Sequence, residues 1–180
     1  MPNVVTLTGF KEFEAKLKKM PDILKSEVSG EVKSAAEEWA KLAKETLSLP
    51  YPSGAWDSGF LAGGIDAKHG GDKDMTSEVT SAMSYSAYME WGTKSRAKVP
   101  ADLTSYASKF RGPTGISDTD PKELIYAWAK RKGIPEQYWW PIYWSIKKKG
   151  VKPHPFFFIQ KPIIQKLLFA GVKKIVETEH

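Results

Sequence analysis

The sequence contains no cysteine and only three histidines, and each shortage excludes a class of chemistry. Without cysteine there is no disulfide, no thiolate metal site and no cysteine nucleophile. The histidines are His69, His154 and His180, and none has a second histidine or a carboxylate at ligand spacing on a predicted helix. We therefore expect no metal site and no histidine-based catalysis.

Long apolar runs are also missing. No stretch approaches the roughly 20 residues that a membrane-spanning helix needs, and the first residues lack the apolar region of a signal peptide. Hydrophobic residues make up 41% of the chain and charged residues 27%, which is typical of a soluble globular protein. We expect a single domain with a real core, made in the cytoplasm.

Acidic residues are scarce in the second half of the chain. Residues 1–93 carry 10 Lys/Arg and 14 Asp/Glu, a balance of −4, whereas residues 94–180 carry 17 and 7, a balance of +10. A basic half can bind nucleic acid or an acidic protein surface. In a self-assembling chain, the acidic half of one copy could supply that surface.

The apolar spacing predicts an α+β fold, with a long amphipathic helix packed on a small antiparallel sheet. The strongest element is a helix from Ile23 to about Leu47, whose apolar positions form one stripe. Strands are predicted at Val4–Leu7, from Phe60 to Ala67 with a weak point at the two intervening glycines, and at Glu78–Ala82.

Two further helices are expected near the ends of the chain. The first follows Thr8 as its N-cap and carries Phe10, Phe13 and Leu17 at helical spacing. The last runs from about Lys161 to Glu177, and its predicted buried residues are Ile164, Leu167, Leu168, Val172 and Ile175.

Residues 94–152 are predicted to be a loop and a helical hairpin inserted into one domain that spans residues 1–180. Lys94–Thr119 is polar and contains proline and glycine, which is typical of a long loop with at most one helical turn. Asp120–Glu123 is a helix start, and that helix should end at Gly133. A second helix is predicted at Pro141–Lys149.

Five aromatic residues crowd this hairpin just before three lysines. They are Tyr138, Trp139, Trp140, Tyr143 and Trp144, followed by Lys147–Lys149. The aromatic side chains could fill a core, anchor a protein interface, or stack on bases while the lysines hold phosphates. We favour a core or a self-interface, because base-stacking surfaces normally lie on sheets or in open grooves.

The stretch Tyr85–Thr93 is interpreted as a structural corner. Glu90 is a lone acid between apolar neighbours, where a charge is costly unless it has hydrogen-bond donors. Gly92 permits a turn that a side chain would resist, and Thr93 can tie that turn to its own backbone. We predict that Glu90 anchors the turn by accepting hydrogen bonds, while Tyr88 and Trp91 fix the segment to the long helix.

The other candidate catalytic groups have simpler explanations. Glu37 and Glu38 fall on the polar face of the long helix, and Asp72 and Asp74 fall in a turn, so we expect these acids to be solvated. Ser58-Gly59 lacks the first glycine of a nucleophile elbow, because position 56 is tryptophan. We predict no enzyme, no catalytic residue and no cofactor.

Three motifs, in order along the chain, resemble a bacteriophage family. They are Ser58-Gly59-x-Leu61-x-x-x-Ile65, Tyr85-x-Ala87-x-x-Glu90-Trp91-Gly92-Thr93, and Pro155-Phe156 leading into the terminal helix. They resemble the head–tail neck and tail-completion family of minor tail components, typified by the gene-ten product of phage Hong Kong ninety-seven. The resemblance covers nearly the whole chain.

This resemblance implies a structural virion protein of a long-tailed phage or prophage. Several copies, commonly six, would form a ring at the head–tail junction and contact the connector and the tail-tube or tail-terminator proteins. DNA would pass through the ring without sequence-specific binding, and no membrane is involved. The protein would occur in the virion, and in the host cytoplasm during assembly. The motif residues would form the structural framework and the assembly surface. The alternative is a basic nucleic-acid-binding module that uses the Trp/Lys-rich hairpin.

Overall fold

The computed structural model describes residues 3–6, 22–49, 59–72, 74–83, 85–105 and 122–178. The chain divides into two compact units, one made of Met1–Ser84 and Phe156–His180 and the other of Tyr85–Pro155. The predicted α+β class is confirmed. The predicted helix that carries Phe10, Phe13 and Leu17 lies outside the described residues.

The first unit is built on helix α1, Asp22–Ser48, which confirms the predicted long helix. Its buried positions recur every three or four residues between Val28 and Leu47, the spacing of one helix face. Several of them are alanines, which let neighbouring elements approach the helix closely. Trp39 is the largest side chain of this face and is 2% exposed.

Three antiparallel strands form the sheet of this unit. They are β1 (Asn3–Thr6), β2 (Ile65–His69) and β3 (Ser77–Ser81), in the order β1-β3-β2. Val79 of the central strand pairs with Val5 on one side and Ala67 on the other. Helix α1 packs on β2 and β3, where Ile65 and Val79 are buried.

The strand predicted to begin at Phe60 is wrong in its first half, because Phe60–Gly63 forms a short helix, α2. Gly59 has φ 77° before this turn, and its carbonyl accepts a hydrogen bond of 2.8 Å from the Gly63 amide. The turn buries Leu61 and leaves Phe60 68% exposed, which a strand of alternating residues would also do. The alternation of exposed and buried residues therefore fits both a strand and a helical turn, and the glycines on either side of the segment favour the turn.

The first unit ends in helix α6, Lys161–Thr178, preceded by a 3-10 turn at Phe158–Gln160. The predicted helix is confirmed, and Ile164 and Val172 are buried. Leu167 is 49% exposed, so its predicted burial is wrong. Residues 164, 168, 172 and 175 follow the three-to-four spacing of one face, and residue 167 lies about 100° away from residue 168.

Helix α1 and the C-terminal segment are joined by apolar packing and by one buried hydrogen bond. The Trp39 indole Nε1 donates to the Phe157 carbonyl at 2.9 Å, and the two rings lie 5.2 Å apart. Val28 and Val172 pack together with Leu168 beside them. This pairing of the two long helices closes the core of the first unit.

The second unit contains helices α3 (Ser86–Trp91), α4 (Lys122–Arg131) and α5 (Glu136–Lys149), with 3-10 turns at Lys94–Arg96 and Ala101–Leu103. Helices α4 and α5 form the predicted hairpin and bury Ile125, Ala129 and Tyr143. Among the described residues, no helix is long and apolar enough to cross a membrane.

The predicted start of α5 is wrong by five residues, because the helix begins at Glu136 and contains Pro141. Pro135 has φ −54° and ψ 143°, so the chain is still extended just before Glu136. Pro141 lacks an amide hydrogen, so it leaves the Gln137 carbonyl without its intrahelical donor. The end of α4 agrees with the prediction, since Gly133 follows it with φ 65°.

Candidate functional site

The corner at Tyr85–Thr93 begins with helix α3, whose inner face is buried. Ala87, Glu90, Trp91 and Thr93 are each no more than 4% exposed. Tyr85 is 41% exposed and marks the outer edge of the segment. The inner face of the corner is therefore buried, and this buried face includes its lone acid.

Gly92 turns the chain at the end of α3 and cannot be replaced without a clash. Its φ of 69° and ψ of −174° fall in a region open almost only to glycine. A Cβ atom there would lie 2.7 Å from the Val151 carbonyl oxygen and 2.9 Å from the Pro153 ring. Residues 151–153 therefore pass directly over the turn.

Thr93 ties the turn to this crossing segment by two hydrogen bonds. Its amide donates to the Val151 carbonyl at 3.0 Å, and its hydroxyl oxygen accepts from the Val151 amide at 2.9 Å. The expected bond of Thr93 to its own local backbone is thus replaced by one to a residue 58 positions away. Gly150, with φ 87°, permits this contact, because a Cβ there would overlap the Thr93 carbonyl.

The crossing segment is fastened at a second point on α3. The His154 amide donates to the Met89 carbonyl at 2.7 Å. On the other side of the corner, the Lys98 amide donates to the Trp91 carbonyl at 2.8 Å. Helix α3 is therefore held between the segment that precedes the C-terminal helix and the start of the long loop.

The 3-10 turn at Lys94–Arg96 supplies hydrogen-bond donors to the C-terminal end of α5. Ser95 Oγ donates to the Lys149 carbonyl at 3.1 Å, and Arg96 Nη1 donates to the Gly150 carbonyl at 3.0 Å. The Lys94 ammonium donates to the carbonyl of Lys147. The last carbonyls of a helix lack intrahelical donors and carry partial negative charge, so cationic donors stabilise them.

These contacts make the corner the point that joins the helical hairpin to α3. Sequence reasoning located the corner but missed its partners, which are the end of α5 and residues 150–154. The available signal was the run of basic residues Lys94, Arg96 and Lys98 shortly after Gly92, because such residues suit a helix C-terminus. Its partner lies more than 50 residues away in sequence, so local spacing could not identify it.

The aromatic cluster of the hairpin divides into an inner and an outer group. Tyr143 is 2% exposed, and Trp139 contacts the Tyr126 ring of α4 edge-on at 5.2 Å. Trp140 and Trp144 are 42% and 53% exposed, and their near-parallel rings lie 6.4 Å apart. The core interpretation therefore holds for part of the cluster and does not account for Trp140 and Trp144.

Lysines lie over the exposed rings. Lys122 Nζ is 4.9 Å from the Trp140 ring centroid, and Lys147 Nζ is 5.2 Å from that of Trp144. Such cation–π contacts are worth about 0.5–1 kcal/mol at exposed sites. We define the tryptophan ridge as Trp140, Trp144, Lys147 and Lys148, which share one face of α5 because they follow one another at helical spacing.

His154 is a described residue whose pKa is shifted from its ordinary value. His154 has its pKa lowered from 6.5, first by burial and second by the charge of Lys152, so it is neutral near pH 7. No group of three or more His, Cys, Asp and Glu in the described residues could hold a metal ion. Asp72 pairs with Lys33 at 3.1 Å with its side chain 96% exposed, as expected for a solvated acid.

The motif residues are distributed over both units. Gly59, Leu61 and Phe156 belong to the first unit, where Leu61 is 7% and Phe156 3% exposed. The whole second motif and Pro155 belong to the second unit. Ser58 lies outside the described residues. The roles of these residues in assembly, and the contact of Tyr88 and Trp91 with the long helix, stay predictions.

Comparison with known proteins agrees with the motifs. Residues 11–92 match the HK97-gp10-like family, described as "Bacteriophage HK97-gp10, putative tail-component". The match includes the first motif and the second motif up to Gly92. Searches of curated proteins and of solved structures give no match. Over residues 11–92, therefore, this chain is similar to the phage tail-component family that its motifs indicate, and that prediction is confirmed.

Proposed function

We propose that this chain is a non-enzymatic structural subunit of a long-tailed phage or prophage, acting in neck formation or tail completion. The observation that carries the proposal is the family match over residues 11–92, which contains most of the acidic half of the chain and most of the corner. In this role the subunit occupies the virion, contacts neighbouring neck and tail proteins, and is present in the host cytoplasm during assembly.

The corner supports a scaffolding role. Its acid, its tryptophan and its threonine are buried, and its glycine turn is covered by residues 151–153. Hydrogen bonds from Thr93 and from the 3-10 turn hold the root of the loop that continues toward residue 105. Such an arrangement fixes the C-terminal end of α5 against the corner, which suits a building block.

We infer further that copies of the chain associate head to tail into a ring, with six copies as the expected number. The support is the charge asymmetry of −4 over residues 1–93 and +10 over residues 94–180. Head-to-tail contacts pair unlike surfaces, and they close into a ring when the rotation between copies permits.

Deletion of the gene from the phage or prophage that carries it tests the role. The expected lysate contains filled heads and separate tails by negative-stain electron microscopy, and supplying the wild-type chain restores joined particles. Detection of the chain by mass spectrometry in purified particles whose heads and tails are joined would support the virion location. Intact, infectious particles formed without the gene would contradict the proposal.

A nucleic-acid-binding module is the second candidate, because Trp140 and Trp144 are exposed beside lysines. Base stacking on aromatic side chains contributes about 1–3 kcal/mol per base, and lysine–phosphate contacts make binding strongly salt-dependent. Titration of a labelled single-stranded oligonucleotide at several salt concentrations tests it. Tight binding that weakens steeply with salt would favour this candidate over a purely structural subunit.

A further inference from the structure

The tryptophan ridge presents exposed aromatic surface on the outside of the hairpin. Trp140 and Trp144 remain about half exposed although both rings contact the buried Tyr143, and Lys148 extends the same face. The ridge is about 12 Å long, at about 1.5 Å of helix rise per residue. Large aromatic anchors at helical spacing are typical of helices that dock onto another protein.

A line of four glutamates lies on helix α1 of the first unit. Glu27, Glu31, Glu38 and Glu45 fall within about 40° of one another around the helix, because their spacings are near whole numbers of turns. Glu27 and Glu45 are exposed, whereas Glu31 and Glu38 are half-buried and Glu38 pairs with Lys41 of the same helix at 3.2 Å. We call these four residues the glutamate stripe.

Apolar surface borders the glutamate stripe. Ile23 is 71% exposed at one end of the helix, and Leu24 and Leu42 are half-buried at its side. A tryptophan ring could therefore contact methyl groups and the aliphatic parts of the glutamates while a lysine meets a carboxylate. The stripe thus offers both kinds of contact that the tryptophan ridge requires.

We propose that the tryptophan ridge of one copy docks on the glutamate stripe of a second copy. This rests on the proposed ring and names the two surfaces that would meet in it. The exposed apolar pair Ile163 and Leu167 of α6 is a worse match, because Lys166 and Lys174 border it and would repel the lysines of the ridge.

The two kinds of contact have different effects. Exposed ion pairs contribute little net free energy, so the lysines and glutamates set orientation, encounter rate and salt dependence. The tryptophans supply the affinity, because burying exposed indole area is favourable and tryptophans are over-represented among residues whose truncation costs most at interfaces. The ridge and the stripe are different surfaces of one chain. Each copy can therefore dock on one neighbour while a second neighbour docks on it, and the contact repeats from copy to copy.

Sedimentation velocity of the purified full chain, at rising concentration and low salt, tests the docking. Wild-type chain should associate, and high salt should weaken the association. Changing Trp140→Ala together with Trp144→Ala should weaken it about 30-fold or more. Tyr138→Ala is the matched control, because Tyr138 is 53% exposed on the same helix but lies well outside the ridge face. It should leave the association unchanged.

Charge reversal identifies the partner surface. Lys147→Glu with Lys148→Glu, or Glu27→Lys with Glu38→Lys, should each weaken the association, and mixing the two variants should restore it between unlike copies. Glu37→Lys is the control on α1, since Glu37 lies about 100° around the helix from Glu38. Circular dichroism of each variant confirms that it is folded. If association is restored when the two charge-reversed variants are mixed, the tryptophan ridge and the glutamate stripe must be in contact.

Three outcomes would overturn the inference. They are a wild-type chain that stays monomeric at every concentration, tryptophan variants that associate like the wild type, and charge-reversed pairs that do not recover on mixing. A different set of results would assign the ridge to nucleic acid instead. In that case oligothymidine binds the wild-type chain, the tryptophan double variant does not bind it, and the wild-type chain does not self-associate. None of these results bears on the gene deletion, which tests the tail-completion role separately.

Discussion

At the residue scale, two glycines determine the shape of the corner. Gly92 and Gly150 both have positive φ with extended ψ, and both face backbone that a Cβ atom would strike. The two conditions are independent, since one concerns the residue's own dihedral angles and the other its neighbours. The presence of glycine at position 92 is thus explained by the close packing of residues 151–153 as well as by the geometry of the turn.

Gly92→Ala should lower the free energy of unfolding by about 3 kcal/mol or more, because it adds backbone strain and a contact with the Val151 carbonyl. Gly133→Ala is the control, since Gly133 has φ 65° but a Cβ atom added there would meet nothing within 4 Å. Its cost should be about 1–2 kcal/mol, from backbone strain alone. Urea denaturation followed by circular dichroism measures both, and equal costs would show that the close approach of residues 151–153 is unimportant.

Glu90 is the only acid of the corner and is 4% exposed. Glu90→Gln keeps its shape and removes its charge. The predicted anchoring role requires hydrogen bonds to the carboxylate, and such bonds contribute about 1.5–3 kcal/mol, so this role predicts a fall of about that amount in the unfolding free energy. Glu123→Gln, at an exposed position of α4, should have little effect. Unchanged stability and unchanged self-association in Glu90→Gln would remove the anchoring role of this carboxylate.

His154 should make the stability of the protein depend on pH. Its pKa in the folded chain is below 6.5, so the unfolded chain binds more protons as the pH falls through 6.5. Stability is therefore lost on acidification through this value and regained as the pH rises above it. His154→Gln should flatten this part of the profile when urea unfolding is measured across the range. A slope equal to that of the wild type would show that His154 is not responsible.

At the element scale, the 3-10 turn at Lys94–Arg96 caps α5 from a distant part of the chain. Arg96 donates to the Gly150 carbonyl and to Ser145 Oγ, at 3.0 and 3.2 Å. Arg96→Ala should therefore destabilise the second unit by about 1–3 kcal/mol. Lys98→Ala removes an exposed cation two residues away and is the control. Similar unfolding curves for the two variants would contradict the capping role.

Helices and strands could be predicted from the sequence where their apolar spacing is regular along their whole length and their ends are marked by breaking residues. Helix α1 keeps a consistent apolar spacing from Val28 to Leu47, and strand β3 and helix α6 are bounded by clear breaks. Errors arose where two structures satisfy the same pattern. Phe60–Gly63 can expose Phe60 and bury Leu61 as a strand or as a helix, and a proline within α5 resembles a helix start.

The corner shows a different limit on sequence-based prediction. Its buried acid and its glycine turn follow from residue chemistry, because a lone carboxylate among apolar residues needs donors and a glycine permits positive φ. Its partners do not follow, since Thr93 meets Val151 across 58 residues and nothing local in either segment specifies the other. Likewise, the exposure of Trp140 depends on which face of α5 meets α4, and the sequence leaves that open.

At the scale of the whole molecule, the two units differ in how much apolar surface they bury. Among the described residues, fifteen buried apolar side chains belong to the first unit and five to the second. The first unit also has the longest helix and the sheet. The second unit relies more on helix packing in one hairpin and on the hydrogen bonds around the corner. The free energy of local opening should therefore be lower for the second unit than for the first.

Native-state hydrogen exchange tests this difference directly. Amides of α4 and α5 should exchange through a local opening of lower free energy than the amides of α1, whose exchange should require global unfolding. Gly92→Ala should accelerate exchange in α5 at low urea concentration, because it weakens the joint that holds residues 150–154. It should change exchange in α1 much less, and Gly133→Ala again controls for backbone strain alone. If α5 and α1 instead exchange with one free energy in the wild type, the chain unfolds as a single cooperative unit, and the corner would contribute to the stability of the whole molecule.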